Sequence, residues 1–153
     1  MQVIRSASRW IPIVLLGMIA MKAMGADDKP PLDQVLADYN AAWGERDPAR
    51  RAALLERAWA ENGIYTDPQA HVQGRTILAT HIGLVQRQLP AGVHGVVVSA
   101  PDMHHGVFRF AWEFRDAKGK LFMKGEDFGE IDEDGRIRRI VGFFGELMPP
   151  AKP

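Results

Sequence analysis

Apolar residues in the first half of the chain recur at steps of three and four positions, the spacing of one face of an α-helix. This spacing predicts a helix starting near Asp33, a second at Asp47-Pro48 that stops at Asn62-Gly63, and a third over residues 75–89. Asp47-Pro48 is typical of an N-cap followed by proline at the first helical position. A short strand over residues 64–66 is predicted between the second and third helices.

The second half of the chain instead alternates apolar and polar residues with a period of two, as strands do. Turn sequences at residues 116–119 and 132–135 divide this half into hairpins. The predicted strands cover residues 93–99, 104–115, 120–131 and 136–146. Helices followed by a meander of strands predict an α+β fold with the helices on one face of an antiparallel sheet.

One carboxylate breaks this alternation. Asp127 falls on the same face of its strand as Leu121, Met123, Gly125 and Ile131. An ionised carboxylate on an apolar face is costly unless it is paired or protonated. Two interpretations follow: Asp127 pairs with a histidine or arginine across the fold, or it is an acid that works in an apolar site.

The two ends of the chain do not fit the domain pattern. Arg5 and Arg9 precede an apolar run over residues 10–21, and small residues follow at 23–25, which predicts a cleaved export signal over residues 1–25. A run of about a dozen apolar residues is short against the roughly 20 that a spanning helix needs. We therefore expect a periplasmic or secreted protein with no membrane attachment after cleavage. Residues 149–153 predict a disordered tail, which leaves residues 26–148 as a single domain.

The composition and net charge of the chain exclude several classes of function. The 153 residues are 46% hydrophobic and 25% charged, which is typical of a soluble globular protein. The 19 basic and 19 acidic residues balance, and removal of residues 1–25 takes away three basic residues and no acidic one, leaving a net charge of −3. This charge argues against nucleic-acid binding. The absence of cysteine excludes disulfides, thiolate metal sites and a cysteine nucleophile.

The histidines do not predict a metal site. His104 and His105 are adjacent on a predicted strand, so their side chains point to opposite faces. No aspartate or glutamate joins them, His71 or His94 at a metal-ligand spacing. We expect neither a metal nor another cofactor.

Three segments carry a resemblance to a known family: WAENGIYTDP at residues 59–68 with a glycine at 74 that opens a helix, EDFGEIDEDGRI at 126–137, and GFFGE at 142–146. With the order of elements, they resemble the nuclear transport factor 2-like superfamily, in particular its SnoaL-like and ketosteroid isomerase branches. The resemblance implies a cone: a curved antiparallel sheet wrapped around three N-terminal helices, with a largely apolar cavity in its mouth.

The resemblance to ketosteroid isomerases also implies three catalytic positions. Asp67, in an Asp-Pro pair after the first strand, matches the base that moves the proton. Tyr39, in Tyr-Asn-Ala-Ala, and Asp127, eight residues before Gly135, match the two donors to the enolate oxygen. Two departures are a longer stretch between Asp47 and Asp67 and a histidine, His81, on the inner face of the third helix.

Each of these residues also has a structural interpretation. Asp67-Pro68 can simply initiate a turn, and Tyr39 can be a core tyrosine whose hydroxyl finds a partner. His81 either orients a carboxylate or is a satisfied core histidine. The residues expected to line the cavity are apolar or aromatic for the most part: Trp43, Trp59, His81, Phe108, Phe110, Trp112, Met123, Ile140 and Phe144.

The sequence thus favours an exported protein that binds a small apolar carbonyl compound and moves a proton alpha to the carbonyl, as a cofactor-independent isomerase. One alternative is a non-catalytic ligand-binding or dimerisation module, since the resemblance implies a homodimer through the outer sheet face, with Phe122 and Phe128 as contacts. Another is a different enzyme on the same scaffold, such as a cyclase or a hydratase.

Overall fold

The computed structural model describes residues 29–151. The export signal predicted over residues 1–25 lies outside the described residues, as do the last two residues of the predicted tail. From residue 145 to residue 151 the chain forms no helix or strand. No helix within residues 29–151 is both long enough and apolar enough to cross a membrane.

Three helices form where the apolar spacing predicts them: α1 (Leu32–Gly44), α2 (Pro48–Ala58) and α3 (Arg75–Gln88). The predicted N-cap is present at α2, where the Asp47 side chain accepts a 2.8 Å hydrogen bond from the backbone nitrogen of Arg50. The second helix ends at Ala58, before the predicted stop at Asn62-Gly63.

The early end of α2 lengthens the strand that follows it. Trp59, which continues the helical spacing in the sequence, is the first residue of an eight-residue strand and is fully buried. Its backbone pairs with Ile137, and its indole ring covers Gly63 where a β-carbon would collide with it. The energy of burying this large ring outweighs the helical propensity of a single residue.

Between residues 29 and 151, seven strands form one open sheet. They are β1 (Trp59–Thr66), β2 (His71–Gln73), β3 (His94–Val97), β4 (Asp102–His104), β5 (Val107–Arg115), β6 (Leu121–Ile131) and β7 (Ile137–Phe144). Their order is β2-β1-β7-β6-β5-β3, and β4 also pairs with β5. β4 and β5 together cover the strand predicted over 104–115, which is interrupted because His105 and Gly106 have positive φ angles of 50° and 77°.

The predicted α+β cone is confirmed, with one correction to the sheet. β1 and β7 are parallel and all the other pairs are antiparallel, so the sheet is mixed and not purely antiparallel as predicted. Parallel neighbours need a long crossover connection, and the chain between β1 and β7 supplies it. The curved sheet packs on the helices around a core that contains Tyr39, Leu55, Leu78, Ile82 and Ile137.

Candidate functional site

A cavity of about 100 Å³ lies between α1, α3 and the inner face of the sheet and opens to solvent. Its walls are mostly aromatic and aliphatic. Tyr39, Asp67 and Asp127, the three residues matched to catalytic positions, all border this cavity. They come from α1, from the turn after β1 and from β6, so the fold brings three distant segments together.

Asp127 sits in a gap between two glycines on the inner face of β6. Across the strand pair, Gly125 lies opposite Trp112 and Gly129 lies opposite Phe108. Both aromatic rings fold over these glycines, where a β-carbon would collide with them. The indole of Trp112 thereby reaches Asp127, and its Nε1 donates a 2.8 Å hydrogen bond to Oδ1. The glycines explain how a carboxylate fits on an otherwise apolar face.

The environment of Asp127 changes its acidity. The residue is only 5% exposed. Burial raises the pKa of its carboxyl from the ordinary 3.8 to about 6, the hydrogen bond from Trp112 opposes this rise, and the negative charge of Asp67 adds to it. Trp112 is the one hydrogen-bond donor to Asp127 among the described residues. Within residues 29–151 Asp127 pairs with neither a histidine nor an arginine, so that interpretation of Asp127 is wrong.

Asp67 has a different environment. Its Oδ1 accepts hydrogen bonds from the backbone nitrogens of Gln69 (2.7 Å) and Ala70 (2.6 Å), and its Oδ2 accepts one from the Tyr65 hydroxyl (2.8 Å). The turn chemistry of an Asp-Pro pair is therefore present at a residue that also borders the cavity. Both of its carboxylate oxygens are engaged.

Gly142 separates the two carboxyl groups. A β-carbon at this position would lie 2.9 Å from Oδ1 of Asp127 and 3.6 Å from Cβ of Asp67. The register explains this, because Gly142 pairs with Asp127 across β6 and β7, while β7 runs beside the end of β1. The two aspartates are therefore close neighbours, and their charges are coupled.

Two buried polar atoms in the cavity wall have no partner. The hydroxyl of Tyr39 and Nε2 of His81 make no hydrogen bond with any residue in the range 29–151. Burial and the negative charge of Asp127 raise the pKa of Tyr39 well above its ordinary value of 10.0, although the nearby indole of Trp43 opposes the rise. The phenol is therefore neutral near pH 7 and is free to donate a hydrogen bond to a ligand.

No protein-family model and no curated protein matches the sequence. A crystal structure of a candidate isomerase of the SnoaL-like family from Agrobacterium tumefaciens is 34% identical to the chain, with a TM-score of 0.68 over 73% of this chain and 95% of that one. The chain belongs to the SnoaL-like family.

More distant structures share only the fold of this SnoaL-like protein. A SnoaL-like protein of unknown function from Burkholderia thailandensis is 14% identical, with a TM-score of 0.57 over 75% of this chain and 94% of that one. A protein with a ketosteroid isomerase-like fold from Catenulispora acidiphila, crystallised with trimethylamine, is 13% identical, with a TM-score of 0.55 over 71% and 83%.

Six of the nine residues expected to line the cavity do so: Trp43, His81, Phe110, Trp112, Met123 and Phe144. The other three, Trp59, Phe108 and Ile140, lie in the core of this SnoaL-like domain and do not border the cavity. Trp59 stacks on the ring of Tyr39, with centroids 5.6 Å apart, and Phe108 stacks on Phe110. Trp59 packs on Tyr39 and Gly63, and Phe108 packs on Gly129, so both rings support the lining from behind.

Tyr65 also borders the cavity and donates a hydrogen bond to Asp67, although it was not predicted as a site residue. Its position in the sequence indicates this role, because it lies on β1 two residues before Asp67, and side chains two residues apart on extended backbone share a face. Further lining residues that were not predicted come from α1, α3, β3, β5 and the turn after β1: Asn40, Gln69, Val85, Gly95, Val96 and Phe114.

Proposed function

We propose that this SnoaL-like protein binds a small apolar carbonyl compound in the cavity and moves a proton alpha to the carbonyl, as ketosteroid isomerase-like enzymes do. One observation carries the proposal: the buried carboxyl of Asp127, with a pKa of about 6, borders an apolar cavity together with the unpartnered hydroxyl of Tyr39. A proton transfer of this kind needs neither a metal nor an organic cofactor.

The environments of the two aspartates support Asp127 as the residue that takes the proton. A general base works best when its pKa lies near the operating pH, and near pH 7 a carboxyl with a pKa of about 6 is mostly ionised. Asp67, matched by resemblance to the base, accepts three hydrogen bonds that its protonation would disturb. In this proposal Asp67 holds the turn and the Tyr65 side chain in place through these hydrogen bonds. Its negative charge helps to raise the pKa of Asp127.

The proposed reaction has two steps. Asp127 takes a proton from the carbon next to the carbonyl, the electron pair of the broken C–H bond forms a C=C bond to the carbonyl carbon, and the π pair of the C=O bond moves to the oxygen, giving an enolate. The Tyr39 hydroxyl donates a hydrogen bond to that oxygen. Asp127 then returns the proton to a carbon further along the conjugated system, and the double bond is shifted with no net change in atoms.

A β,γ-unsaturated ketone tests this function, because its conjugated product absorbs in the ultraviolet. A 3-oxo-Δ5-steroid and the smaller 3-cyclohexenone, both β,γ-unsaturated, serve as substrates of two sizes. We expect Asp127→Asn to lower kcat by about 10²–10⁴-fold, and Asp67→Asn to have a smaller effect. Equal rates for the wild type and Asp127→Asn would remove Asp127 as the base, and loss of rate only in Asp67→Asn would restore the assignment made by resemblance.

The same cavity is also suited to a non-catalytic binding protein, because its wall is mainly apolar. Such a protein binds the ketone without converting it. Fluorescence of Trp43 and Trp112, which border the cavity, reports binding independently of turnover. Saturable quenching with no product formed by the wild type would favour the binding module over the enzyme.

We also propose that the outer sheet face binds a second copy of the chain. Phe122, Phe128 and Phe143 are 53%, 38% and 58% exposed on this face, and the rings of Phe128 and Phe143 touch edge to face. Lys124 and Glu126 alternate with Phe122 and Phe128 along β6, so this face carries charges of both signs and would not strongly repel a second copy. Sedimentation should show a dimer for the wild type and a monomer for Phe143→Lys.

Export to the periplasm or the exterior is a further proposal, supported by the charge and hydropathy pattern of residues 1–25. Fractionation of cells that express the chain with and without these residues tests it. We expect the shorter form to stay in the cytoplasm and the full form to leave it as a product that begins at Ala26.

A further inference from the structure

A second pocket, of about 450 Å³, lies where the loop after α1, the first turns of α2 and the C-terminal half of α3 meet. Three arginines border it, Arg46, Arg51 and Arg87, and no acidic residue does. None of its residues borders the cavity described above. The pocket is therefore a separate site with a strongly positive wall.

Arg51 is a buried cation held only by neutral groups. It is 5% exposed. Its Nε donates to the carbonyl oxygen of Ala79 (2.9 Å), and its Nη1 donates to the carbonyl oxygen of Glu45 (2.7 Å) and to Oε1 of Gln86 (3.2 Å). Within the described part of the chain it forms no ion pair. A buried charge without a counter-ion is costly, so a negative partner would stabilise it.

The third guanidinium nitrogen of Arg51 meets a second arginine over Gly83. A β-carbon on Gly83 would lie 2.7 Å from Nη2 of Arg51 and 3.6 Å from Nη1 of Arg87. Glycine inside a helix costs about 1 kcal/mol relative to alanine. Gly83 nevertheless lies in the interior of α3, and its missing side chain is what lets the two cationic groups converge.

The carboxylates near this pocket are already engaged. The Glu45 side chain, on the loop that leads into α2, forms an ion pair with Arg50 at 3.0 Å. The Asp47 side chain caps α2. Neither neutralises the converging guanidinium groups of Arg51 and Arg87.

We propose that the pocket formed by Arg46, Arg51 and Arg87 binds an oxyanion of the phosphate type, either free or as the phosphate group of a small molecule. Guanidinium groups present paired N–H donors that match the oxygens of phosphate, and such charge-assisted hydrogen bonds are stronger than neutral ones. The bound anion supplies the negative charge that the buried Arg51 lacks. This site does not depend on the proposed reaction in the cavity.

The first test titrates the full chain with inorganic phosphate at constant ionic strength, with chloride as the replacing salt. The NMR signals of the Gly83 amide and of the arginine Nε–H groups report the pocket. We expect saturable shifts with phosphate and none with chloride, and a loss of affinity of at least about tenfold in Arg87→Gln. Arg87 is exposed, so this variant should keep the fold.

Arg109→Gln is the matched control, because it removes the same charge from an exposed arginine on β5, far from the pocket in the chain. It should bind phosphate as the wild type does. An equal loss of phosphate affinity in Arg87→Gln and Arg109→Gln would show general charge attraction and would overturn the proposed site. Shifts that do not saturate with phosphate would overturn it as well.

Gly83→Ala is a second variant that leaves every charge in place. Its methyl group should displace Nη2 of Arg51 and abolish saturable phosphate binding, while circular dichroism shows an intact helix content. Wild-type affinity in both Gly83→Ala and Arg87→Gln would refute the proposal. Phenyl phosphate compared with inorganic phosphate distinguishes the source of the anion, because tighter binding of the ester points to a phosphorylated small molecule.

Discussion

The indole nitrogen of Trp112 donates a 2.8 Å hydrogen bond to the carboxylate of Asp127, and this donor holds down a pKa that burial has raised. Hydrogen bonds to charged groups contribute about 1.5–3 kcal/mol, and a pKa change of one unit corresponds to about 1.4 kcal/mol.

Trp112→Phe keeps an aromatic ring near Gly125 but removes the N–H donor. The pKa of Asp127 should therefore rise further, and the acidic limb of the pH profile of kcat/KM should move upward by about one pH unit. Phe114→Leu is the control, because it alters the same wall of the cavity without removing a donor to Asp127. An unchanged acidic limb in Trp112→Phe would contradict a role for Asp127 as base.

The raised pKa of Asp127 also predicts a pH dependence of stability. Below pH 4 this carboxyl is protonated in both the folded and the unfolded states, and between about pH 4 and pH 6 only the unfolded chain loses the proton. The contribution of Asp127 to the free energy of unfolding therefore falls as pH rises through this window and is constant above it. The total loss is about 3 kcal/mol by linkage.

Asp127→Asn isolates this contribution, because asparagine keeps an oxygen that accepts from Trp112 and does not ionise. Urea unfolding at pH 4, 5, 6 and 7 should show the variant gaining on the wild type by about 2 kcal/mol between pH 4 and pH 7, because the unfolded chain is already partly ionised at pH 4. Asp102→Asn, at an exposed position, should show no comparable trend. A difference between Asp127→Asn and wild type that is the same at every pH would show that Asp127 is not protonated selectively in the folded state.

Gly142 offers a steric test of the paired aspartates. The methyl group of Gly142→Ala would lie 2.9 Å from Oδ1 of Asp127, the oxygen that Trp112 binds. We expect the carboxyl to be displaced, the proposed isomerase activity to fall at least about tenfold, and stability to fall by about 1–3 kcal/mol through overpacking.

Gly44→Ala is the control for Gly142→Ala, because nothing lies within 4 Å of the added methyl group at the end of α1. It should keep full activity and gain a few tenths of a kcal/mol in stability, up to about 1 kcal/mol. Full activity in Gly142→Ala, measured on the same ketone, would show that the reaction does not depend on the position of the Asp127 carboxyl.

The local patterns in the sequence predict most of the elements because burial on one face determines them. The period of two places Asp127 on an inward face, and the structure finds it there, between glycines that accommodate the rings of Trp112 and Phe108. The parallel pairing of β1 with β7 was not predictable in this way, since it joins segments about 75 residues apart and depends on how the whole chain closes.

The lining of the cavity was harder to predict than the meeting of Tyr39, Asp67 and Asp127 at its wall. Phe108 and Phe110 alternate identically in the sequence, yet only Phe110 borders the cavity, while Phe108 covers Gly129 in the core. Periodicity shows which face of the sheet a side chain lies on, but not how far along the cone it lies. Depth depends on the register between β5 and β6, which no local pattern specifies.

Substitution of the two tyrosines of the cavity by phenylalanine should change the stability of the fold in opposite directions. Tyr39→Phe removes a buried hydroxyl that has no partner in residues 29–151, so the folded state should lose nothing and should gain about 1 kcal/mol. Its activity should fall about 10²–10³-fold, because the donor to the enolate oxygen is gone. Tyr65→Phe instead breaks the 2.8 Å hydrogen bond to Asp67 and should cost about 1 kcal/mol of stability. Urea unfolding and the ketone assay on both variants separate the two roles.

A Tyr39→Phe variant that is less stable and fully active would mean that the hydroxyl is a structural group and that the enolate oxygen is held by another donor.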